Sequence, residues 1–247
     1  MKKIIAMLLV LVMSVTGLVG CGSSKGNEAG STSAGSDSDW SYIQDKGKLT
    51  VGITLFAPMN YYNEKNKLVG FDTEMAEAVT KKLGIDVEFT EINWDSKEVE
   101  LSSKNIDCIW NGFTMNGRED DYTFSDPYVD NSQVIVVADD SGIEKLTDLA
   151  GKTVGVQAAS AALDLLQSEE EGGQKELADT FGALNEFADY NTAFTELQAG
   201  ALDALAIDVG VAKYQLNSRG EGFKILDETL NTEQYAIGFK KGNTELC

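Results

Sequence analysis

The sequence predicts two similar α/β domains, each built on a largely parallel β-sheet. Thr-Val-Gly-Ile at 50–53 recurs as Thr-Val-Gly-Val at 153–156, and residues 101–107 recur at 197–203 with the same leucine-to-aspartate spacing. A repeat period this long indicates duplicated domains rather than a solenoid. Strands and helices also alternate in each half, which is typical of α/β domains. The roughly 200 residues from Trp40 onward are enough for one large domain or two small ones.

In the first half, residues 50–53 have the short, β-branched pattern of a buried parallel strand. Asp72 can cap a following helix that Gly84 ends. Its predicted apolar face carries Met75, Ala76, Val79 and Leu83. Ile85, Val87 and Phe89 then alternate as a strand, and residues 101–107 are predicted to enter another strand that continues to 110.

The second half repeats this order. Residues 153–156 predict a strand, residues 161–166 and 193–197 predict helices, and residues 202–207 predict a buried strand. The acidic stretch at 168–173 predicts a solvated loop. Each half therefore alternates strands and helices around its own sheet.

The first 39 residues predict export and tethering. A positive start and an uncharged apolar run mark residues 1–20 as a secretory signal peptide. The run ends in Leu-Val-Gly-Cys at 18–21, which resembles the lipobox of bacterial lipoproteins. That resemblance implies cleavage before Cys21 and lipid attachment to its sulfur; the alternative is an ordinary secreted protein. The Gly/Ser-rich segment 21–39 predicts a flexible linker.

Composition excludes several classes of function. A formal net charge of −20 opposes nucleic-acid binding. The chain has no histidine and three cysteines, which leaves no pattern for a zinc cluster and predicts no metal or cofactor. Cys108 and Cys247 could form a disulfide in an oxidising compartment, or could remain two unpaired thiols with Cys108 buried in a strand.

Ligands of open parallel sheets bind beyond the carboxyl ends of the strands, and four predicted strand ends carry suitable groups. A two-pronged guanidinium (Arg118) and the amides of a strand-to-helix turn (158–162) suit a carboxylate. A carboxylate (Asp208) suits an ammonium group, and an aromatic ring (Phe56) suits the apolar part of a ligand. Alternatively, Arg118 forms a surface ion pair, Asp208 caps a helix, and Phe56 and Trp94 lie in the core.

Four strings carry a family resemblance: Leu-Val-Gly-Phe-Asp at 68–72, Thr-Phe-Ser-Asp-Pro-Tyr at 123–128, Asp-Leu-Ala-Gly-Lys-Thr-Val-Gly-Val-Gln at 148–157, and Glu-Gln-Tyr-Ala-Ile-Gly-Phe at 233–239. Together they resemble the polar-amino-acid family of ABC-transporter substrate-binding proteins. The resemblance implies a two-lobed, periplasmic-binding-protein-like "Venus flytrap" fold of type II with two hinge crossings. Lobe 1 would comprise 40–130 plus 235–247, and lobe 2 would comprise 131–234.

The resemblance also implies a function and a site. The protein would be a monomer anchored to the outer face of the bacterial membrane through Cys21. It would capture a free amino acid and deliver it to an ABC permease by hinge closure, without acting as an enzyme. The implied ligand-binding residues are an aromatic wall (Phe56 and Trp94), α-carboxylate contacts (Thr114, Arg118 and the amides near Ser160 and Ala161), and α-ammonium contacts (the Gly112 carbonyl and Asp208).

The chain departs from the family pattern in three places. No acid follows the first strand, where Ile-Thr-Leu stands at 53–55, so a neutral polar ligand such as glutamine or cystine is expected. The segment between Thr114 and Arg118 is one residue short. Family members usually continue past residue 246 into a further helix, so a fragment less stable than a longer form is expected. Two alternatives within the fold are a dehydratase acting on prephenate-like acids and the sensory domain of a receptor.

Overall fold

Two five-stranded sheets organise residues 38–247, the part of the chain that the computed structural model describes. The signal peptide and most of the linker predicted above lie outside the described residues. The helices are α1 (Asp39–Lys46), α2 (Phe71–Leu83), α3 (Lys97–Ser102), α4 (Ala161–Gln167), α5 (Lys175–Ala178), α6 (Tyr190–Gln198) and α7 (Val209–Arg219). The strands are β1 (Lys48–Ile53), β2 (Tyr61–Tyr62), β3 (Leu68–Val69), β4 (Asp86–Glu91), β5 (Cys108–Ile109), β6 (Tyr122–Phe124), β7 (Val129–Ala138), β8 (Thr153–Gln157), β9 (Ala183–Phe187), β10 (Ala204–Asp208), β11 (Phe223–Tyr235) and β12 (Gly238–Lys240).

Both sheets are mixed. The first has the order β4-β1-β5-β12-β6, in which β1 runs parallel to β4 and β5 while β12 runs antiparallel to β5 and β6. The second has the order β11-β7-β10-β8-β9, in which β8 runs parallel to β9 and β10 while β7 runs antiparallel to β10 and β11. The prediction of largely parallel sheets is therefore correct for three strands of each. The chain crosses between the sheets twice, from β6 to β7 and from β11 to β12.

The internal repeat reflects one hydrogen-bonded arrangement built twice. The Asp107 carboxylate accepts from the backbone N–H of Thr50 at 2.6 Å, and the Asp203 carboxylate accepts from that of Thr153 at 2.8 Å. In each half, the aspartate that precedes one central strand thus accepts a hydrogen bond from a backbone N–H of the strand beside it. Of the two leucines, Leu197 lies in helix α6, as predicted for residues 193–197, whereas Leu101 lies in helix α3 rather than at the entry to a strand. Only residues after the aspartates enter strands.

The two glycines of the repeat, Gly52 and Gly155, also lie in equivalent surroundings. A Cβ on Gly52 would lie 2.4 Å from Ile106 Cδ1, and a Cβ on Gly155 would lie 2.5 Å from Leu202 Cδ1. A large apolar side chain covers each strand so closely that a Cβ at either glycine would push it aside.

Helix α2 buries only part of the predicted face: Met75 and Ala76 pack toward the core, but Val79 and Leu83 do not. Val79 and Leu83 are 37% and 49% exposed, whereas Asp72 and Ala76 are fully buried. Gly84 ends the helix as predicted, in the left-handed conformation with φ 73°. Asp72 does not cap it, because the helix begins at Phe71 and the preceding residue makes no side-chain cap bond.

The described cysteines, Cys108 and Cys247, are both free thiols; Cys108 is buried and Cys247 is exposed. The structure thus shows the unpaired alternative rather than the disulfide. Within residues 38–247, no helix has the combined length and apolar character that crossing a bilayer requires.

Candidate ligand-binding site

One narrow cavity, of about 20 Å³, lies where the two sheets face each other. This is well below the range for small-molecule sites, roughly 300–1,000 Å³, so the two sides of the cavity lie close together. Its lining follows the carboxyl ends of β1, β5, β8 and β10. All eight residues predicted for ligand binding line it: Phe56, Trp94, Gly112, Thr114, Arg118, Ser160, Ala161 and Asp208. Thr54, Asn111 and Gln157 complete the lining.

Arg118 is held at the wall of this cavity. Its side chain is 11% exposed, Nη1 donates to the Thr114 carbonyl at 3.2 Å, and the guanidinium lies 5.3 Å from the centre of the Phe113 ring. Nη2 also donates to the carboxylate of Asp164 on α4, at 2.6 Å. Arg118 therefore forms an ion pair, but one that spans the two sides of the cavity, and sequence reasoning did not find Asp164.

The turn from β8 to α4 forms the opposite wall. Ser160 is the N-cap of α4, and its Oγ accepts from the backbone N–H of Leu163 at 3.1 Å. Ala159 before it takes the left-handed conformation, with φ 53°. Ser160 and Ala161 thus line the cavity at a helix start, where backbone N–H groups carry partial positive charge.

Asp208 is the buried carboxylate of the site. Its Oδ1 accepts from Asn131 Nδ2 at 2.7 Å, Gln133 Nε2 at 2.9 Å and Tyr235 Oη at 2.6 Å. Burial, and then the nearby negative charge of Glu233, raise the pKa of Asp208 to about 6. Asp208 precedes α7 but makes no side-chain cap bond, so the helix-cap alternative is not what the structure shows.

The groups around Asp208 come from β7 and β11, the two strands that adjoin the crossings between the sheets, and sequence reasoning missed them. Asn131, Gln133 and Tyr235 donate hydrogen bonds to Asp208, whereas Glu233 contributes only a nearby charge. Asn131 and Gln133 lie on β7, and Glu233 and Tyr235 lie on β11. The only sequence signal was indirect, because Glu-Gln-Tyr at 233–235 is part of a string that carries the family resemblance.

Two aromatic residues close the cavity. Phe56 and Trp94 are 7% and 9% exposed, and the Trp94 ring meets the Phe113 ring edge-on with centroids 5.5 Å apart. Trp94 Nε1 donates to the Ala159 carbonyl at 3.0 Å, and Lys97 Nζ donates to the same oxygen at 3.3 Å. Trp94 thus both packs in a core cluster and lines the cavity, and it links the two sides directly.

Gly112 has a conformation that other residues rarely adopt, with φ 58°. Its N–H donates to Asp72 Oδ2 at 2.6 Å, and Tyr128 Oη donates to the same oxygen at 3.0 Å. Burial raises the pKa of Asp72 to about 6. Asp72 therefore fixes the loop that carries Gly112 rather than capping α2.

A second, larger space of about 570 Å³ opens to solvent beside the cavity and shares Thr54 and Trp94 with it. Three acidic side chains contribute to its lining: Glu91, Asp95 and Asp189. The remaining lining is mixed, with apolar side chains such as Leu55 and Ile92 and amides such as Asn93.

Known proteins resemble the chain along most of its length. The model of "Bacterial extracellular solute-binding proteins, family 3" matches residues 49–247. The L-cystine-binding protein TcyA of Bacillus subtilis is 32% identical, over 100% of this chain and 88% of that protein. The arginine-binding extracellular protein ArtP of the same organism is 34% identical, over 98% of this chain and 87% of that protein.

A solved structure gives the same result for the fold. The substrate-binding protein of an ABC uptake transporter from Streptococcus pneumoniae, with bound histidine, superimposes with a TM-score of 0.79 at 34% identity. The match covers 86% of this chain and 87% of that one. The predicted two-lobed architecture is thereby confirmed.

Proposed function

The chain belongs to family 3 of the bacterial extracellular solute-binding proteins, and we propose that it captures a free α-amino acid in the cavity between its two sheets and hands it to an ABC permease. The observation that carries this proposal is the convergence of a guanidinium, a helix start and a buried carboxylate on one cavity. These three groups complement the two charged ends of an amino acid.

Each end of the ligand has its own contacts. Arg118, Thr114 and the amides near Ser160 and Ala161 hold the α-carboxylate. Arg118 shares its guanidinium between the ligand and Asp164, because its fork carries five N–H donors. Asp208 and the Gly112 carbonyl hold the α-ammonium group, while Phe56 and Trp94 pack against the aliphatic part.

Hinge closure couples binding to delivery. Lobe 1 comprises 40–130 plus 235–247, lobe 2 comprises 131–234, and the two chain crossings act as the hinge. The Trp94–Ala159 hydrogen bond and the Arg118–Asp164 ion pair both join opposite sides of the cavity. A ligand that touches both sides adds to these contacts and stabilises the closed form, which then docks on the permease.

A neutral polar amino acid, glutamine or cystine, is the ligand we propose first. Thr54 and Leu55 follow β1, so the segment directly after this strand contains no acid that could neutralise a cationic side chain. The relative named for L-cystine supports this choice. The acidic lining of the adjoining space favours arginine as a second candidate, and the relative named for arginine supports it.

The proposal also covers the oligomeric state of the protein, its location and the absence of catalysis. The protein acts as a monomer, anchored through Cys21 to the outer face of the cell membrane. It catalyses no reaction, because Asp208, the one buried carboxylate in the cavity lining, serves to bind the ammonium group.

A thermal-shift screen of the purified protein tests the function. The twenty amino acids, cystine and ornithine are each added at high concentration. A ligand at a hundred times its Kd stabilises by roughly 2.7 kcal/mol. We expect a strong shift with a small set of amino acids that is lost in Arg118→Ala and Asp208→Ala. The control variant Lys65→Ala, which changes an exposed residue outside the cavity lining, should respond like the natural protein. A folded protein that responds to none of these compounds contradicts the proposal.

A further inference from the structure

A second carboxylate, that of Glu233, is buried beside the site without lining the cavity. Glu233 lies on the crossing strand β11 and is 4% exposed. Its Oε1 accepts from Thr114 Oγ1 at 2.7 Å. It therefore contacts a residue of the cavity wall from behind.

Glu233 and Asp208 are bound by the same two side-chain amides. Asn131 Nδ2 donates to Asp208 Oδ1 and to Glu233 Oε1, both at 2.7 Å. Gln133 Nε2 donates to the same two oxygens at 2.9 and 2.8 Å. Because one amide nitrogen carries two hydrogens, each amide bridges the two carboxylates with both of them. This shared arrangement holds the two acids close together.

The pair has no cation of its own. Among the described residues, neither carboxylate forms an ion pair with a lysine or arginine. The titratable or charged groups that face Asp208 are Glu233 and Tyr235 from β11, Tyr190 from α6, and Arg118 across the cavity. Arg118 already pairs with Asp164. Two like charges in a buried site repel each other when neutral amides alone separate them.

We propose that Glu233 is a positioning residue for ligand binding: it places a second negative charge behind Asp208, so that the empty site is electrostatically strained and a bound ammonium group relieves the strain. The proposal rests on the function proposed above, which assigns the ammonium group to Asp208. Glu233 thereby strengthens the preference of the site for a cationic group over a neutral one, at the expense of the stability of the empty protein.

The raised pKa of Asp208 determines how the stability of the empty protein changes with pH. The pKa of Asp208 is raised from 3.8 to about 6 in the folded protein, first by burial and then by Glu233. Its stabilising contribution is therefore complete below pH 3.8 and is lost as the pH rises through about 6. Removing the charge of Glu233 should help the empty protein at pH 7.5, and should help it less at pH 5, where Asp208 is mostly protonated.

The test uses Glu233→Gln, which retains an oxygen acceptor for the three donors, and Glu221→Gln as a control that removes one exposed acid. In the empty protein, we expect Glu233→Gln to raise Tm by at least about 2 °C at pH 7.5 and by less at pH 5. Asp208→Asn should raise Tm similarly, and the two gains should not add in the double variant. The control should change neither value.

Binding is then measured at pH 7.5 by calorimetry with L-cystine, L-glutamine and L-arginine as probes. We expect Glu233→Gln to weaken the binding of whichever probe the natural protein binds by at least about tenfold. An unchanged or lower Tm at pH 7.5 overturns the proposal, since a merely structural residue would behave in that way. If Glu233→Gln fails to fold, the Tm of Asp208→Asn at the two pH values decides the question. A natural protein that binds no amino acid defeats the proposed function, whereas the Tm comparison still decides whether the acid pair is strained.

Discussion

Lys97 offers a stability prediction whose size follows from its surroundings. The residue is 6% exposed, and Nζ donates to the carbonyls of Trp94 and Ala159 at 3.3 Å each. Nζ also lies 5.0 Å from the centre of the Trp94 ring. Among the described residues it forms no ion pair with a carboxylate. It is thus a buried charge that dipoles, one aromatic face and the more distant carboxylates of Asp164, Glu98 and Asp95 compensate in part.

The free-energy cost of burying this charge follows from the direction and size of its pKa shift. Burial first, and then the positive charge of Arg118, lower the pKa of Lys97 from 10.5 to about 8. That difference corresponds to about 3 kcal/mol at neutral pH. Replacement by methionine keeps the apolar stem and removes the charge, but it also removes two long hydrogen bonds that contribute about 1–2 kcal/mol together. The net gain in the free energy of unfolding is about 1–2 kcal/mol at pH 7, or roughly 3–6 °C in Tm.

The gain should disappear at alkaline pH. Between pH 8 and 10.5 the unfolded chain binds more protons at Lys97 than the folded chain does, so the natural protein becomes more stable as the pH rises. Lys97→Met lacks this contribution. Thermal unfolding of both proteins at pH 7, 8 and 9 measures the difference, with the exposed Lys65→Met as the control whose difference stays constant. A Tm that falls in Lys97→Met at pH 7, or a difference that does not change with pH, refutes the reasoning.

Three further predictions concern the site and the thiols. Gly112→Ala places a Cβ 2.8 Å from an aromatic carbon at φ 58°, so it should lower the free energy of unfolding by about 2–4 kcal/mol in urea. Gly117→Ala, with φ 77° and nothing within 4 Å, should cost only about 1–2 kcal/mol, and equal costs would contradict the packing argument. Trp94→Phe removes the N–H donated across the cavity, so calorimetry should show ligand affinity falling about fivefold; unchanged affinity would mean that this bond does not favour closure. Iodoacetamide should modify Cys247 and spare Cys108, whose pKa burial raises; mass spectrometry showing equal modification would contradict this.

Strand ends were the features that the sequence predicted best. Buried strands have strong local patterns, and the residues that follow them must meet at one edge of a sheet. For this reason Arg118 and Asp208, ninety residues apart in the chain, could be placed in one cavity from the sequence and the family resemblance. The structure brings them there.

Contacts that depend on the register between distant segments could not be predicted from local sequence patterns. Glu233 meets Asn131 and Gln133 because β11 pairs with β7 through an irregular register, which no local pattern specifies. The predicted role of Asp72 was wrong for a related reason. An acid at the start of a helix resembles a cap, but the carboxylate of Asp72 instead accepts a hydrogen bond from Gly112, whose loop is distant in the sequence.

The buried face of helix α2 was predicted only in part. Val79 and Leu83 have apolar side chains at helical spacing, yet both remain exposed. Helical spacing identifies a stripe but not the partner that covers it. The short helix α3 was missed because its six residues, Lys97–Ser102, carry little periodic signal.

Calorimetric titration with matched ligands decides whether both charged ends of an amino acid are held in the cavity of Arg118 and Asp208. The amino acid that gives the strongest shift in the screen is compared with its analogue lacking the α-carboxylate and with its analogue lacking the α-amino group. We expect each analogue to bind at least about thirtyfold more weakly. Arg118→Ala should abolish the preference for the carboxylate, and Asp208→Ala should abolish the preference for the amino group. If either analogue binds as tightly as the parent amino acid, the assignment of the cavity as an α-amino-acid site is contradicted.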